Sequence, residues 1–484
     1  MFRVLLLALL VLAAVVSIRT VAYRHVIDDA PPGLPVEIDE ARIVEHLQQA
    51  IAIPTVSPQP PEIADPLAFD AFLAWLETTY PRVFAELEPT RHGGHSLLLT
   101  WAGRGAGTGA TPAPVLLTAH YDVVPVIAGS ESLWRYPPFA GRVADGYVWG
   151  RGALDNKNAV VGLMEAVDWL LQRGERPQRS VYLSFGHDEE LGGTAGAAAV
   201  VEHLRQSGVR LAWSLDEGSF VFQNMFPGVT VPVATINTAE KGSVTLRIIA
   251  TAAGGHSSMP PQETAVGRLA EALVRLQEHP LAGGLEGLAA ESFDAIGPHM
   301  PLLQRALFAN RWLFGPLVES QLAQLPFANA MLRTTTAPTM LQGSPKVNVL
   351  PIEAVATVNF RIHPRDSVED VVRHVESVVS GEHVRVEALP GRPASAVADA
   401  GSEGFRLIEQ SVRAEFGEVV VAPGLLVAAT DSRHYGEIAD NAFRFNPMVV
   451  TEAEIAGFHG TNERISTAGM VQGVRAYVRL LRGL

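Results

Sequence analysis

Short apolar runs alternate with amphipathic segments through the first half of the chain. These runs contain β-branched or aromatic residues and have the length of buried strands; they lie at 115–118, 181–185 and 211–215. Apolar residues with helical spacing predict helices before and between the strands, at 38–53, 69–80, 158–172 and 194–206. Strands that alternate with helices predict an α/β fold for this part of the chain.

The pattern changes after Lys241. Two segments alternate apolar and polar residues, as strands with one exposed face do, and helical spacing follows each; the strands lie at 243–250 and 354–362, the helices at 264–278 and 368–379. This order predicts an antiparallel α+β domain inserted at 239–394. The apolar, irregular stretch from Leu281 to Thr336 falls inside it and is expected to be helical.

A chain of 484 residues is too long for one ordinary core, so two or more domains are expected. The first domain is predicted to span 38–238 and to resume at 395–484. In this last part we predict helices at 405–416 and 468–481 and a loop at 428–433.

The first 22 residues differ in kind from the rest. An apolar run of 13 residues, Val4–Val16, lies between Arg3 and Arg19. This is shorter than the roughly 20 residues of a full membrane span, which is reached only if the Arg19 side chain extends to the membrane surface. Residues 1–22 are therefore predicted to be a signal peptide or a membrane anchor. Either would place the protein in the periplasm or another extracytoplasmic location, with 23–37 as a linker.

Composition restricts the partners and the ligands. Lys and Arg number 37 and Asp and Glu number 51, which gives a net charge of −14. Without a basic excess to neutralise phosphates, nucleic acid is excluded as a main partner. Because the chain has no Cys, only His and carboxylates can supply strong metal ligands.

Side chains with metal-binding chemistry follow all three predicted strands. The second strand leads into three consecutive acids, Asp188 to Glu190, which repel one another unless they share a cation or a proton. His120 and Asp122 follow the first strand, and Asp216 and Glu217 follow the third. A solvated turn explains one such cluster. Three of them, at the edge where α/β sheets bind ligands, favour a metal site.

Asp155 lies just before the predicted helix at 158–172. It suits a metal ligand and a helix N-cap equally well. The sequence pattern alone leaves both interpretations open.

Eight motifs then occur in the order found in one known family: TAHYDVVPV, GRGALDNK, HDEELGG, LDEG, GGHSS, VNVLP, NFRIHP and HGTNERI. Over residues 38 to 484 the chain resembles the co-catalytic di-zinc metallopeptidases and amidohydrolases of the aminoacylase-1 and carboxypeptidase G type. Within that family it is most similar to the carboxypeptidase S and N-fatty-acyl-amino-acid synthase/hydrolase groups. The resemblance implies a mixed-sheet catalytic domain and an inserted lid or dimerisation domain.

The resemblance also implies two zinc ions per chain and a role for each matching position. The implied ligands are His120, Asp155 as the bridge, Glu190, His459 and one acid of the pair Asp216 and Glu217. Asp216 is preferred because relatives place this ligand directly after the last apolar residue of the strand, and Glu217 is its rival. Asp122 would orient His120, and Glu189 would be the general base.

Three further positions belong to the inserted domain. By resemblance, His256 would polarise the substrate carbonyl, while Asn348 and Arg361 would hold polar groups of the substrate. The Arg361 guanidinium, expected to be buried, matches the geometry of a carboxylate. Many relatives supply the His across a homodimer, so a homodimer is one expectation here. The extra stretch 281–336 has five interpretations: support for that dimer, a replacement for it, an acyl pocket, a membrane-facing surface and simple core helices.

The predicted function is zinc-dependent hydrolysis of an amide bond next to a free carboxylate. The substrate would be a dipeptide or an N-acyl amino acid. The alternatives are a dedicated N-acyl-amino-acid deacylase and, from another class, an inactive membrane-tethered binding protein. Presence of every polar motif position, including Glu189, argues against an inactive protein.

Overall fold

The computed structural model describes residues 1–24, 35–59, 62–105 and 112–484. Most of the predicted linker at 23–37 and part of a predicted Gly- and Pro-rich loop at 103–114 lie outside the described residues. Within them the helices are α1 Phe2–Ala22, α2 Glu40–Ile51, α3 Pro66–Thr79, α4 Pro81–Glu86, α5 Lys157–Gln172, α6 Ala197–Gln206, α7 Ala265–Glu278, α8 Gly287–Ile296, α9 Leu302–Ala309, α10 Arg311–Leu322, α11 Pro326–Leu332, α12 Val368–Val379, α13 Glu403–Phe416, α14 Ser432–Tyr435, α15 Glu452–Ile455 and α16 Thr467–Arg482.

The strands follow the same chain order. They are β1 Glu88–His92, β2 Ser96–Trp101, β3 Val115–His120, β4 Arg142–Ala144, β5 Tyr147–Trp149, β6 Val181–Gly186, β7 Trp213–Asp216, β8 Val221–Phe222, β9 Val233–Glu240, β10 Gly242–Thr251, β11 Gly255–His256, β12 Thr335–Gln342, β13 Val349–Leu350, β14 Glu353–Ile362, β15 Val384–Ala388, β16 Val420–Leu426, β17 Ala442–Arg444, β18 Val449–Val450 and β19 Arg464–Ser466. Most predicted elements match these bounds within a few residues. The prediction of a loop at 428–433 is wrong for its last two residues, because α14 begins at Ser432.

A large mixed sheet forms the centre of the molecule. Its strands run in the order β1-β2-β6-β3-β7-β17-β9-β8-β18, and β16 pairs with β9. The three strands predicted as buried, β6, β3 and β7, are adjacent and parallel. Their carboxyl ends therefore meet at one edge of the sheet, and the α/β prediction is confirmed.

Helices cover both faces of this sheet. On one face, every residue of α5 from Lys157 to Leu170 is buried, because α5 lies between the sheet and the helices α2 and α16. On the other face, Val200, Val201 and Leu204 of α6 pack against the apolar side chains of β2 and β3. Because helices cover both faces of the sheet, polar side chains at the carboxyl ends of its central strands are held away from bulk water.

A second, antiparallel sheet forms from strands β12, β14, β10 and β15, in that order. One of its faces packs against α7 and α12, whose buried residues include Leu269, Leu276, Val371 and Val375. Ser367 and Asp370 form a capping box at the start of α12. The other face carries the polar residues of the alternating strands, as their sequence pattern predicts.

The stretch 281–336 is helical, as expected, and contains α8 to α11. It packs on the large sheet: Ile296 joins a small core with Val233 and Val420, and the Ser292 hydroxyl donates to the Pro423 carbonyl at 2.6 Å. Core packing accounts for α8, but several large apolar side chains of α9, α10 and α11 are exposed.

Candidate active site

Three neighbouring strands deliver the imidazole and carboxylate groups to one edge of the large sheet. β3 ends at His120 and β7 at Asp216, while Glu189 and Glu190 form a short 3-10 turn just after β6. Parallel strands end at the same edge, so the sheet itself brings these residues together.

Asp155 joins two imidazoles. Its Oδ1 lies 2.9 Å from Nε2 of His120, and its Oδ2 lies 2.7 Å from Nε2 of His459. The N-cap of α5 is Asn156, so Asp155 does not cap the helix. Each oxygen of this one buried carboxylate thus faces a different imidazole.

One further acid lies on each side of Asp155. Glu217 Oε1 is 3.2 Å from Nε2 of His120, and Glu190 Oε1 is 3.5 Å from Nε2 of His459. Two overlapping groups of possible metal ligands each have their donor atoms within 4.8 Å of one another: His120 with Asp155 and Glu190, and His120 with Glu189 and Glu217.

Asp122 holds the imidazole and the acidic turn in place. Its Oδ1 lies 3.2 Å from Nδ1 of His120, which leaves Nε2 turned toward the acids. Its two oxygens also accept the backbone N–H groups of Glu189 and Glu190, at 3.2 Å each. The backbone carbonyl of Asp122 also lies 3.0 Å from Nδ1 of His120, so this one buried residue fixes the orientation of both strand ends.

The charge balance of the cluster fits a metal centre. Burial raises the pKa of Glu217 to about 8 and also raises the pKa values of Glu189 and Glu190. In the described part of the chain no Lys or Arg forms an ion pair with these acids, and Glu190 Oε1 has no hydrogen-bond partner. Divalent cations would supply the missing positive charge, and a donor set of imidazole nitrogen and carboxylate oxygen suits zinc.

The two adjacent acids after β7 face different surroundings. Glu217 lies against His120, whereas Asp216 accepts the backbone N–H of Glu217 at 2.8 Å, and its Oδ2 has no partner. Side chains alternate along an extended segment, so only one of the two faces the imidazole. The sequence preference for Asp216 as the ligand does not agree with this geometry, which favours Glu217.

Glu463 is a site residue for which sequence reasoning gave no role, although it lies in the HGTNERI motif. Its Oε1 accepts the backbone N–H groups of Gly152, Leu154 and Asp155 at 2.8–3.2 Å. Its Oε2 pairs with Arg151 at 2.6 Å, and both side chains are buried. Glu463 thereby ties the turn that carries Asp155 to the loop that carries His459.

Glu463→Ala should lower the free energy of unfolding by about 3–5 kcal/mol, because it leaves the buried Arg151 without its anion. Denaturant unfolding of both proteins measures this. Glu86→Ala is the matched control, since Glu86 forms a half-exposed pair with Arg176, and such pairs contribute roughly 0–1 kcal/mol. Equal losses in the two variants would contradict the structural role of Glu463.

Among the described residues, no hydrogen bond or ion pair joins the cluster to the three predicted substrate residues of the inserted region. His256 is exposed, and its Nδ1 lies 2.8 Å from the Ser258 hydroxyl. Asn348 is partly buried, with its Oδ1 unpartnered. Arg361 is exposed, so the expectation of a buried guanidinium is wrong. The physical reason is that Arg361 lies on the face of β14 opposite to the buried Phe360, while α7 and α12 pack on the Phe360 side.

A group of cations near Glu189 was also missed from the sequence. The pKa of Arg392 is lowered by burial and by the neighbouring charges of Arg433 and Arg361, while Glu189 acts in the opposite direction. Arg433 itself donates to the Gly192 carbonyl in the acidic turn. Positions so far apart in sequence gave no signal, because only the fold brings the two regions together.

Comparison with curated proteins gives matches over almost the whole chain. The N-fatty-acyl-amino acid synthase/hydrolase PM20D1 of Xenopus tropicalis is 37% identical over 486 residues, which is 99% of this chain and 93% of that protein. The probable carboxypeptidase S-like 2 of Dictyostelium discoideum is 38% identical, over 86% of this chain and 79% of that protein. These are the two groups that the motifs indicate.

Solved structures share the fold at low sequence identity. The M20 family metallo-carboxypeptidase Sso-CP2 from Sulfolobus solfataricus has a TM-score of 0.64 at 17% identity, covering 92% of this chain and 99% of that one. Human carnosine dipeptidase 1 has a TM-score of 0.59 at 17% identity, with 92% and 96% covered. Residues 116–483 match the family described as peptidase family M20/M25/M40, and this chain therefore belongs to that family of metal-dependent hydrolases.

Proposed function

We propose that this enzyme hydrolyses the amide bond next to a free carboxylate, in a dipeptide or an N-acyl amino acid. The observation that carries the proposal is the buried Asp155 carboxylate, which faces one imidazole with each oxygen and has an acid on either side. The names of the relatives support both substrate classes, so a dedicated deacylase is not favoured. The presence of Glu189 within the cluster argues against an inactive binding protein.

We assign two metal positions to the cluster, with zinc as the proposed ion. His120, Asp155 and Glu217 would hold one ion, while Asp155, Glu190 and His459 would hold the other. When bound, a pair of divalent cations supplies Lewis acidity toward an amide carbonyl. This assignment places Glu217 where the sequence preferred Asp216, because only Glu217 faces His120.

Glu189 is the proposed general base. Burial raises the pKa of its carboxyl group, and its backbone N–H is fixed by Asp122. It would take a proton from the attacking water as the new C–O bond forms, and deliver it to the amide nitrogen as the C–N bond breaks. The water oxygen and its second proton then remain in the new carboxyl group, which releases that proton to solvent, and the amine leaves neutral.

Substrate binding is proposed for the inserted region. Arg361 would pair with the substrate carboxylate, Asn348 would bind a polar group and His256 would polarise the carbonyl. The exposed Arg361 supports this because its side chain is accessible to a ligand, and the buried Asn348 Oδ1 supports it because that atom has no hydrogen-bond partner among the described residues. They would act on substrate held at the cluster either from their own inserted domain or from the second chain of a homodimer.

The division of the chain is also a proposal. The two separate sheets support an inserted lid or dimerisation domain at 239–394 between catalytic parts at 38–238 and 395–484. α1 has 21 residues and is long and apolar enough to cross a membrane, which supports a signal or an anchor at residues 1–22. Export to the periplasm or another extracytoplasmic location follows from either.

Hydrolysis of matched substrates tests the function. We expect release of the amino acid from N-acyl amino acids or dipeptides with a free carboxylate, and weak or no release from the same compounds amidated at that carboxylate. Chelation should abolish turnover, and zinc should restore it, with bound metal measured in each sample. Full activity of a metal-free sample would contradict the mechanism. Equal rates on amidated and free substrates would contradict the substrate class.

A further inference from the structure

The helix α1 is attached to the body of the protein by specific polar contacts. Arg19 Nε donates to the Ala309 carbonyl at 3.1 Å. The Asn310 amide lies 3.3 Å from both the Val16 carbonyl and the Thr20 hydroxyl. The Tyr23 hydroxyl donates to the Asp294 carboxylate at 3.1 Å. All of these partners belong to α8, α9 or their immediate boundaries.

Only the end of α1 makes these contacts. The apolar side chains nearer its start are exposed, including Leu5, Leu7 and Leu10 at 60–63%. The helix rises about 1.5 Å per residue, so the part from Phe2 to Val16 spans about 22 Å and all 21 residues span about 31 Å, against a hydrocarbon thickness of about 30 Å. An apolar helix of this length with one docked end and one exposed end has the form of a membrane anchor.

The helix α10 starts at the docked end of α1 and carries an exposed apolar face. We define this face as Trp312, Leu313, Pro316 and Leu317, which lie on one side of α10 because they are spaced by about one turn. Trp312 is 57% and Leu317 is 50% exposed. No charged residue occurs between Trp312 and Val318.

Asn310 sets the depth of this face relative to α1. Its amide contacts the Val16 carbonyl, and Trp312 and Leu313 follow two and three residues later. Val16 is the last residue of the uninterrupted apolar run, so the start of α10 lies where that run ends. In a membrane protein this is the depth of the interface, where Trp is enriched.

We propose that α1 is retained as an anchor and that the apolar face of α10 contacts the lipid bilayer that α1 enters. The proposal concerns a surface separate from the active site and does not depend on the substrate. Arg19 and the exposed Arg24 lie at the docked end of α1, where they suit the phosphate groups of lipids. The α/β body would then be held with one fixed side against the membrane.

Site-specific labelling tests whether the apolar face of α10 contacts the bilayer. A single introduced Cys can be labelled selectively because the chain has no Cys of its own. Full-length Leu313→Cys, labelled with an environment-sensitive fluorophore, is reconstituted into phosphatidylcholine and phosphatidylglycerol vesicles. Leu67→Cys is the matched control, since Leu67 is an exposed leucine near the start of α3. Leu317→Cys provides a second position on the same face.

We expect the labels at 313 and 317 to shift to shorter wavelength and to lose most of their emission with spin-labelled lipids, and the label at 67 to do neither. Quenching at 313 and 317 no stronger than at 67 overturns the proposal. So does a disulfide between two copies through Cys at 313 without quenching, which assigns the face to a dimer. A chain from the membrane fraction that begins after residue 22 overturns the retention of α1.

Discussion

Glu189→Gln should lose turnover by a factor of roughly 10²–10⁴ while it keeps the metal content of the wild-type enzyme. The amide cannot accept the proton of the attacking water, so the step assigned to Glu189 fails. The fold around it should remain, because the backbone of this residue, not its side chain, is held by Asp122. Turnover, with metal analysis of the same sample, measures both effects.

Glu190→Gln is the matched control, since it makes the same chemical change at the next residue. Glu190 lies 3.5 Å from His459, whose Nε2 also faces Asp155, so it is placed as a ligand of the second metal position. We therefore expect it to lose metal as well as activity. If the two variants lost metal equally, the roles of base and ligand would be wrongly assigned.

The strand framework of the site could be predicted because its sequence signal is local. Buried parallel strands appear as short apolar runs, and each run here ends directly at a polar motif. His120, Glu189 and Glu190 were therefore located from sequence, and parallel topology then brought their strands to one edge. The motif order gave the family without any structural information.

Features that depend on contacts between distant segments could not be predicted. Glu463 accepts backbone N–H groups of the turn that carries Asp155, more than 300 residues away. The sequence around Glu463 gives no sign of this contact. The burial of Arg361 was wrongly expected because alternation shows that a strand has two faces, but not which face a helix covers. An exposed apolar surface on α9 to α11 was only one of several interpretations, because an apolar pattern does not show whether a helix packs in a core or faces outward.

The second large effect, a loss of metal affinity and activity, is expected for substitution of the metal ligand that follows β7, which is either Asp216 or Glu217. Glu217→Gln should remove a carboxylate that faces His120, and with it metal and activity. Loss of a group that merely supports a ligand typically costs roughly 10–100-fold in metal affinity, so loss of a ligand should cost at least as much. Titration of the metal-free variant with zinc measures this affinity.

Asp216→Asn is the matched variant, and we expect it to keep the metal. Asp216 accepts the backbone N–H of Glu217, a bond that the Asn carbonyl can also accept, and burial raises its pKa to about 6. Replacing a buried acid of this kind by a neutral isostere removes a charge that has no cationic partner at hydrogen-bond distance in the described part of the chain. If Asp216→Asn lost the metal and Glu217→Gln kept it, the acid that directly follows the last apolar residue of the strand would be the ligand. Metal binding would then require the end of β7 to rotate, so that Asp216 and not Glu217 faces His120.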